Sequence, residues 1–227
     1  IYEESFDSGL GEWVVDGEWG LTDEPAIGSY ALTDSPNGDY GAELTSVARL
    51  NVDLNLDFIA NPYVSFSAQW DIEDGYDFIR FQAYLEETGW ISMQGTYTIT
   101  GNGASAQPIG EFGYDGIQSN WVEDKFYLDQ LGGLKPSAFR FIQNSDQFVE
   151  GDGFVVDAFS INGYSIGKQG DYFPDGDINI FDIVGLADLI SYGREPSEYA
   201  LNFCDIDSNG EINIYDLLTI VNLVSNQ

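Results

Sequence analysis

Histidine is absent from the 227 residues, and cysteine occurs once, as Cys204. The first absence excludes Ser-His-Asp and Cys-His catalysis and the paired-histidine zinc site of metalloproteases. The second excludes an internal disulfide and a cysteine-rich zinc site. Cys204 is expected to pack as a small apolar side chain. Positive charge is scarce: 7 Lys and Arg stand against 39 Asp and Glu, a net charge of −32. That field repels nucleic acid and anionic lipid, so neither is expected as a partner, and it attracts cations. No uninterrupted apolar run approaches the roughly 18 residues of a membrane span. The chain starts at Ile1 with no leader pattern and reads as a piece of something longer.

What is present falls into two regimes. Apolar residues make up 43% of the chain, enough for a core. Over residues 1–166 the pattern is period two with aromatic and β-branched enrichment, clearest in 63–70 (YVSFSAQW), 77–85, 139–143 and 154–161. Such runs are strands. Turn signals such as Ser35-Pro36-Asn37-Gly38, Glu73-Asp74-Gly75, Gly101-Asn102-Gly103 and Gly132-Gly133 separate them. No helical stretch is expected before residue 170. The pattern predicts a mainly β protein whose residues 1–166 form a β-sandwich or jelly roll. Residues 167–170 (GKQG) are a linker, and 171–227 are a small α-helical module. There Ile178, Phe181, Val184, Leu186 and Leu189, and again Ile212, Tyr215, Leu218 and Val221, follow helical spacing.

The helical module is an internal duplication. DGDINIFD at 175–182 aligns with NGEINIYD at 209–216, an offset of 34 residues. In the second copy, 205–216, oxygen side chains stand at the first, third, fifth and twelfth places: Asp205, Asp207, Asn209 and Asp216. Calcium takes about six to eight oxygens, which alternate residues of a tight loop deliver together. Gly210 permits the reversal, Glu211 offers its backbone carbonyl, and Asn213 contributes directly or through water. In the first copy, 171–182, Asp171, Asp175 and Asp182 hold the matching places, with Asp177 and Asn179 at the seventh and ninth. Its third place is Phe173, which cannot bind calcium, so water replaces one ligand or the loop is a degenerate scaffold.

These twin loops, each followed by one helix and without the entering helix of an EF-hand, resemble type I dockerins, including the aspartate at the twelfth place. The resemblance implies two calcium ions and a cohesin-like docking partner. Where cellulosomal dockerins carry Ser/Thr pairs, this chain has Ile180-Phe181 and Ile214-Tyr215. These pairs either face a partner or pack within the chain, and at least one is expected to pack.

Residues 2–164 resemble the MAM-like jelly-roll domain of secreted bacterial peptidases of the immune inhibitor A type. The resemblance rests on ESFDSG at 4–9 through Trp13, WGLTD at 19–23, ELTS at 43–46, WDIEDGYD at 70–77, Ser145-Asp146 and GDGFVVD at 151–157. Ala158 stands where the family has a second aspartate. The resemblance implies one further calcium in the sandwich, with Glu4, Asp7 and Asp157 as candidate ligands and Glu73 with Asp77 as another cluster. Turn hydrogen bonds are the alternative role for these carboxylates.

The sequence therefore points to a non-catalytic, calcium-binding C-terminal region of a secreted or cell-surface bacterial enzyme, a peptidase by resemblance, serving attachment or substrate binding. The alternative is a carbohydrate-binding region, with Trp13, Trp19, Trp90 or Trp121 stacking on sugar. A polysaccharide and a protein substrate are both open as partners. Paired carboxylates could hydrolyse a glycoside without histidine. Among 39 acidic residues, however, some pair is always close, so no enzyme is inferred.

Overall fold

Alternation of large apolar with small polar side chains builds the larger part of the chain. The computed structural model describes residues 2–54, 56, 59–165 and 167–225. Its strands are β1 Tyr2–Glu4, β2 Trp13–Asp16, β3 Gly20–Thr22, β4 Ala31–Thr33, β5 Thr45–Leu50, β6 Ile59–Ile72 and β7 Phe78–Leu85. They continue as β8 Gly89–Ser92, β9 Ile99–Thr100, β10 Phe112–Gly113, β11 Gly116–Tyr127, β12 Ala138–Asn144 and β13 Gly153–Ser165. One sheet runs β11-β6-β13-β4-β3 with β1 on β13, a second runs β2-β5-β12-β7-β8, and β9 pairs with β10. Successive strands switch sheets from β4 to β7 and again from β11 to β13, giving a β-sandwich of jelly-roll type.

The alternation turns Val64, Phe66, Ala68 and Trp70 of β6 inward, together with Phe81 of β7, Phe139 and Phe141 of β12 and Phe154 and Phe159 of β13. Rings from opposite sheets interlock: Phe66 lies 5.3 Å from Phe81 and 5.0 Å from Phe141, and Trp13 lies 4.9 Å from Phe159. Offset and edge-on contacts of this kind add about 0.5–1.5 kcal/mol per pair beyond area burial. Before the helical unit the described residues contain only a 3₁₀ turn, Leu128–Leu131. It ends at Gly132 with φ 65°, which a side chain would strain.

The chain divides into two units, Ile1–Leu56 with Asn61–Gly163, and Asp57–Ala60 with Tyr164–Gln227. The second unit contains α1 Ile180–Ser191, α2 Glu198–Cys204 and α3 Ile214–Ser225. The sequence reading had no counterpart for α2, a short helix begun by Ser197, whose hydroxyl accepts from Ala200 N at 3.1 Å. Gly170 donates its N–H to Phe203 O at 2.6 Å, and a Cβ there would touch Ile178 and Ile220. The expected linker is thus hydrogen-bonded to the end of α2. Among the described residues no helix is long and apolar enough to cross a membrane.

The core of the second unit is Leu186, Leu189, Cys204 and Ile220, lined by Ile178, Ile183, Phe203, Ile206, Ile212 and Leu217. This corrects the helical phase read from sequence. Phe181, Val184, Tyr215 and Leu218 are exposed, at 69, 54, 72 and 53%. The reason is the aspartate at the third position of each helix. Asp182 and Asp216 are fully buried and turned into their loops, so the inward face continues through 183, 186 and 189 in α1 and through 217 and 220 in α3. The pairs Ile180-Phe181 and Ile214-Tyr215 are all more than half exposed, against the expectation that one would pack. Cys204 is buried as expected. Burial, and then the charges of Asp182, Asp171 and Asp216, push its thiol up to about 12, so it is no nucleophile at neutral pH.

The phase can be tested directly. Leu186→Ala should destabilise the helical unit by about 2–5 kcal/mol, whereas Val184→Ala should stay within about 0.5 kcal/mol. Denaturant unfolding followed by helical circular dichroism reads both. Equal losses would reject the assigned face.

Asp34, at the end of β4, is fully buried. Its Oδ1 accepts from Phe154 N at 2.8 Å, and its Oδ2 has no partner. Burial outweighs the hydrogen bonds and raises the carboxyl from 3.8 to about 7. A raised acid takes up its proton on folding, so stability falls as pH rises from 3.8 to about 7. Asp34→Asn should flatten the stability–pH profile across that window by up to about 4 kcal/mol. An unchanged slope would show that Asp34 ionises normally.

Candidate metal centres and binding face

The two loops of the helical unit carry the same hydrogen bonds at matching places. Gly176 N donates to Asp171 Oδ2 at 3.0 Å, and Gly210 N to Asp205 Oδ2 at 2.7 Å. Asp177 N donates to Asp175 Oδ1, and Glu211 N to Asn209 Oδ1. Phe173 N and Asn179 N bind the two oxygens of Asp182, as Asp207 N and Asn213 N bind those of Asp216. The ninth-place asparagines act as helix caps: Asn179 Oδ1 accepts from Phe181 N, and Asn213 Oδ1 from Tyr215 N, both at 2.8 Å. Asn179 and Asp182 form a capping box.

The second loop converges further. Asp205, Asp207 and Asp216 each offer a carboxylate oxygen, and these lie within 4.8 Å of one another. Asn209 and Glu211 stand on the exposed side of this loop. Asp171, Asp175 and Asp182 form no such triad among the described residues, since Phe173 occupies the third place. Asp171 carries a different mark. It is fully buried and its Oδ1 has no partner. Burial, with the charge of Asp182 added, raises its pKa. An orphaned, desolvated carboxylate oxygen in an all-oxygen loop suits a hard cation.

In the sandwich the structure gathers a second triad, Glu73, Asp77 and Asp146, with oxygens within 4.8 Å of one another. Asp77 is buried. Its Oδ2 accepts from Tyr40 Oη at 2.8 Å and its Oδ1 from Asp146 N at 2.7 Å, while Glu73 Oε2 is unpartnered. Burial first, then the charge of Asp146 among others, raises both Glu73 and Asp77. The sequence reading did not name Asp146 as a member of this cluster, although it singled out Ser145-Asp146. Asp146 follows β12, and only the fold carries it to the Glu73–Asp77 turn. Glu4, Asp7 and Asp157 do not converge with one another in this way among the described residues. Glu4 accepts from Phe6 N, Asp7 from Ser29 N, and Asp157 from Ile27 N and Ala158 N.

The outward face of the five-stranded sheet carries a different set. Register places Arg49 of β5 opposite Arg140 of β12, Arg140 opposite Gln82 of β7, Gln82 opposite Ser92 of β8, and Tyr84 opposite Trp90. Gln82 Nε2 donates to Ser92 Oγ at 3.0 Å, Ser92 Oγ to Glu111 Oε2 at 2.6 Å, and Arg80 Nη1 to Glu111 Oε2 at 2.5 Å. Trp90 and Tyr84 meet edge-on at 5.2 Å and are both partly exposed. Trp13, Trp19 and Trp70 are buried, which leaves Trp90 and Trp121 as the tryptophans that solvent reaches.

No family model and no curated protein matches the chain. Solved structures similar to it include a carbohydrate-binding module, CBM28, specific for non-crystalline cellulose, at 18% identity over 72% of this chain and 94% of that one, with a TM-score of 0.46. Another is the K3 cleaved adhesin domain of Lys-gingipain from Porphyromonas gingivalis, at 12% identity over 71% and 98%, TM-score 0.43. A third is the CBM22-1 xylan-binding domain from Paenibacillus barcinonensis, at 15% over 71% and 92%, TM-score 0.38. These names are of binding and adhesin domains, not catalytic ones. With TM-scores under 0.5, the topology rests on the strand pairings given above.

The geometry makes the two loops unequal. Calcium titration by calorimetry should resolve two affinities in the helical unit, about tenfold or more apart. Asp205→Ala should remove the tighter site and Asp171→Ala the weaker. Two equal affinities, or the reverse assignment, would contradict this.

Proposed function

We propose that the chain is a non-catalytic, calcium-binding accessory region of a secreted enzyme, and that its sandwich holds a polysaccharide. The observation that carries the binding role is the Trp90–Tyr84 pair. It lies partly exposed on a sheet face beside Ser92 and Arg140, which the buried Gln82 holds in place, so an apolar ring platform adjoins fixed hydrogen-bonding groups. That combination suits sugar rings, which present an apolar face and a polar edge. No comparable feature favours a protein substrate, so the carbohydrate reading stands ahead of a peptidase accessory role.

Calcium is the cation proposed for the helical unit. The donors are carboxylate and amide oxygens, with no sulfur or imidazole, and Gly176 and Gly210 turn each loop at φ 85° and 88°. Ions there would cancel clustered negative charge and stiffen the loop–helix joints. The Glu73–Asp77–Asp146 triad is proposed as the calcium site of the sandwich. The finer family reading, a MAM-like sandwich followed by a dockerin-like module with a cohesin-like partner, rests on the sequence motifs. The exposed pairs Ile180-Phe181 and Ile214-Tyr215 leave such a partner a surface.

Affinity electrophoresis of the whole chain through gels containing insoluble or soluble polysaccharides tests the binding role. At least one polysaccharide should retard the protein. Trp90→Ala should weaken that retention about tenfold, the equivalent of about 1.4 kcal/mol. Trp121→Ala, in the bulge of β11 on the other sheet, should leave it unchanged. Absence of any retardation, or loss on changing Trp121 instead, would reject the reading.

A further inference from the structure

The chain has 7 basic residues, and three of them, Arg49, Arg80 and Arg140, stand on the one outward face described above. Arg49 and Arg140 are directly opposed on neighbouring strands. Like charges in that position destabilise a sheet. With 39 acidic residues available, a carboxylate neighbour would be the ordinary remedy. Only Arg80 forms an ion pair among the described residues, with Glu111, whose charge also reaches Arg140 without a hydrogen bond.

Arg49 and Arg140 have Trp90 instead. The guanidinium carbon of Arg140 lies 4.1 Å from the indole centroid and that of Arg49 5.7 Å. Arg140 spends one donor, Nε, on Gln82 Oε1 at 2.8 Å, and no hydrogen bond is assigned to its remaining N–H groups or to the side chain of Arg49. The contact with the ring and the anchor at Gln82 therefore hold the partly exposed guanidinium in place. Burial, then the charges of Arg80 and Arg49, lower Arg140 to about 10 against the opposing charge of Glu111.

We infer that this face binds an anionic sugar, a uronate or a sulfated residue of a polysaccharide, with Arg140 and Arg49 pairing with the anionic group while Trp90 and Tyr84 hold the ring. The inference rests on the polysaccharide-binding reading above and adds the charge of the ligand to it. A guanidinium fork matches the paired oxygens of a carboxylate or a sulfate. Elsewhere the surface repels polyanions, and at physiological salt that repulsion is screened beyond about 8 Å. Recognition is therefore confined to the patch.

The test uses the whole chain with three probes in affinity electrophoresis at physiological salt: polygalacturonate, its fully methyl-esterified neutral form, and carrageenan as the sulfated polymer. At least one charged polymer should bind about tenfold or more tightly than the neutral one, and the stronger of the two identifies carboxylate or sulfate. Arg49→Gln, an exposed change that leaves the core intact, and Arg140→Gln should each remove most of that preference. Neutral binding of equal strength would overturn the charge inference and leave the polysaccharide role standing. Preference that survives both substitutions would overturn the assignment to this face. No retention by these probes or by any neutral polysaccharide would overturn both readings.

Discussion

Carboxylates outnumber cations so heavily that this protein cannot neutralise its buried acids with ion pairs, and the rest of the structure follows from what it uses instead. Asp34, Asp77, Asp124, Asp157, Asp171, Asp182, Asp205 and Asp216 are all buried. Each accepts a hydrogen bond from a backbone N–H: Asp34 from Phe154, Asp124 from Thr96 and Lys125, Asp157 from Ile27, Asp216 from Ile206 and Asn213, and the others likewise. Where the acceptor is ionised, such a hydrogen bond is worth about 1.5–3 kcal/mol. Because the donors are main-chain groups, every such aspartate also fixes a loop or a turn. The acidic composition is therefore a structural device of this fold and not solely a solvated coat.

The same device explains why the helical unit has the face it has. Asp182 collects two amides from its own loop and Asp216 three. To do so they must point inward from the first turn of their helices. The apolar residues one turn on, Leu186 and Ile220, then meet across Cys204. Ile180, Phe181 and Val184 of the first copy, and Ile214, Tyr215 and Leu218 of the second, are carried to the outside. Loop chemistry thus overrides burial of the largest apolar side chains, and the duplication repeats the outcome in both halves.

How much of this is legible in the sequence differs by element. Strands β6, β7, β12 and β13 were plain, since period-two alternation is local and the sandwich core enforces it. The two loops were plain as turns because their repeated acidic and glycine positions lie within one stretch of chain. The helical phase was not, because apolar spacing alone admits two faces and the deciding residue is an aspartate. Helix α2 escaped because EYALNFC is short and has little periodicity. Asp146 escaped as a partner of Glu73 and Asp77 because the three meet through strand pairing across some seventy positions, a relation that no local pattern carries.

The arginine-bearing face was illegible for the same reason, and its physics is the inverse of the acidic sites. Arg49 and Arg140 lie far apart in sequence and become neighbours only through the β5–β12 register. Backbone N–H groups can compensate a buried carboxylate, but a guanidinium needs an acceptor or a π face. The sheet already uses its carbonyls in the ladder, so an arginine on its outward face must take its acceptor from side chains, from solvent or from a ligand. Arg80 finds Glu111 and Asn144, whereas Arg140 finds Gln82 and the indole of Trp90. In a chain with acidic residues to spare, two opposed arginines that form no ion pair are the place where the inferred external anion would complete the arrangement.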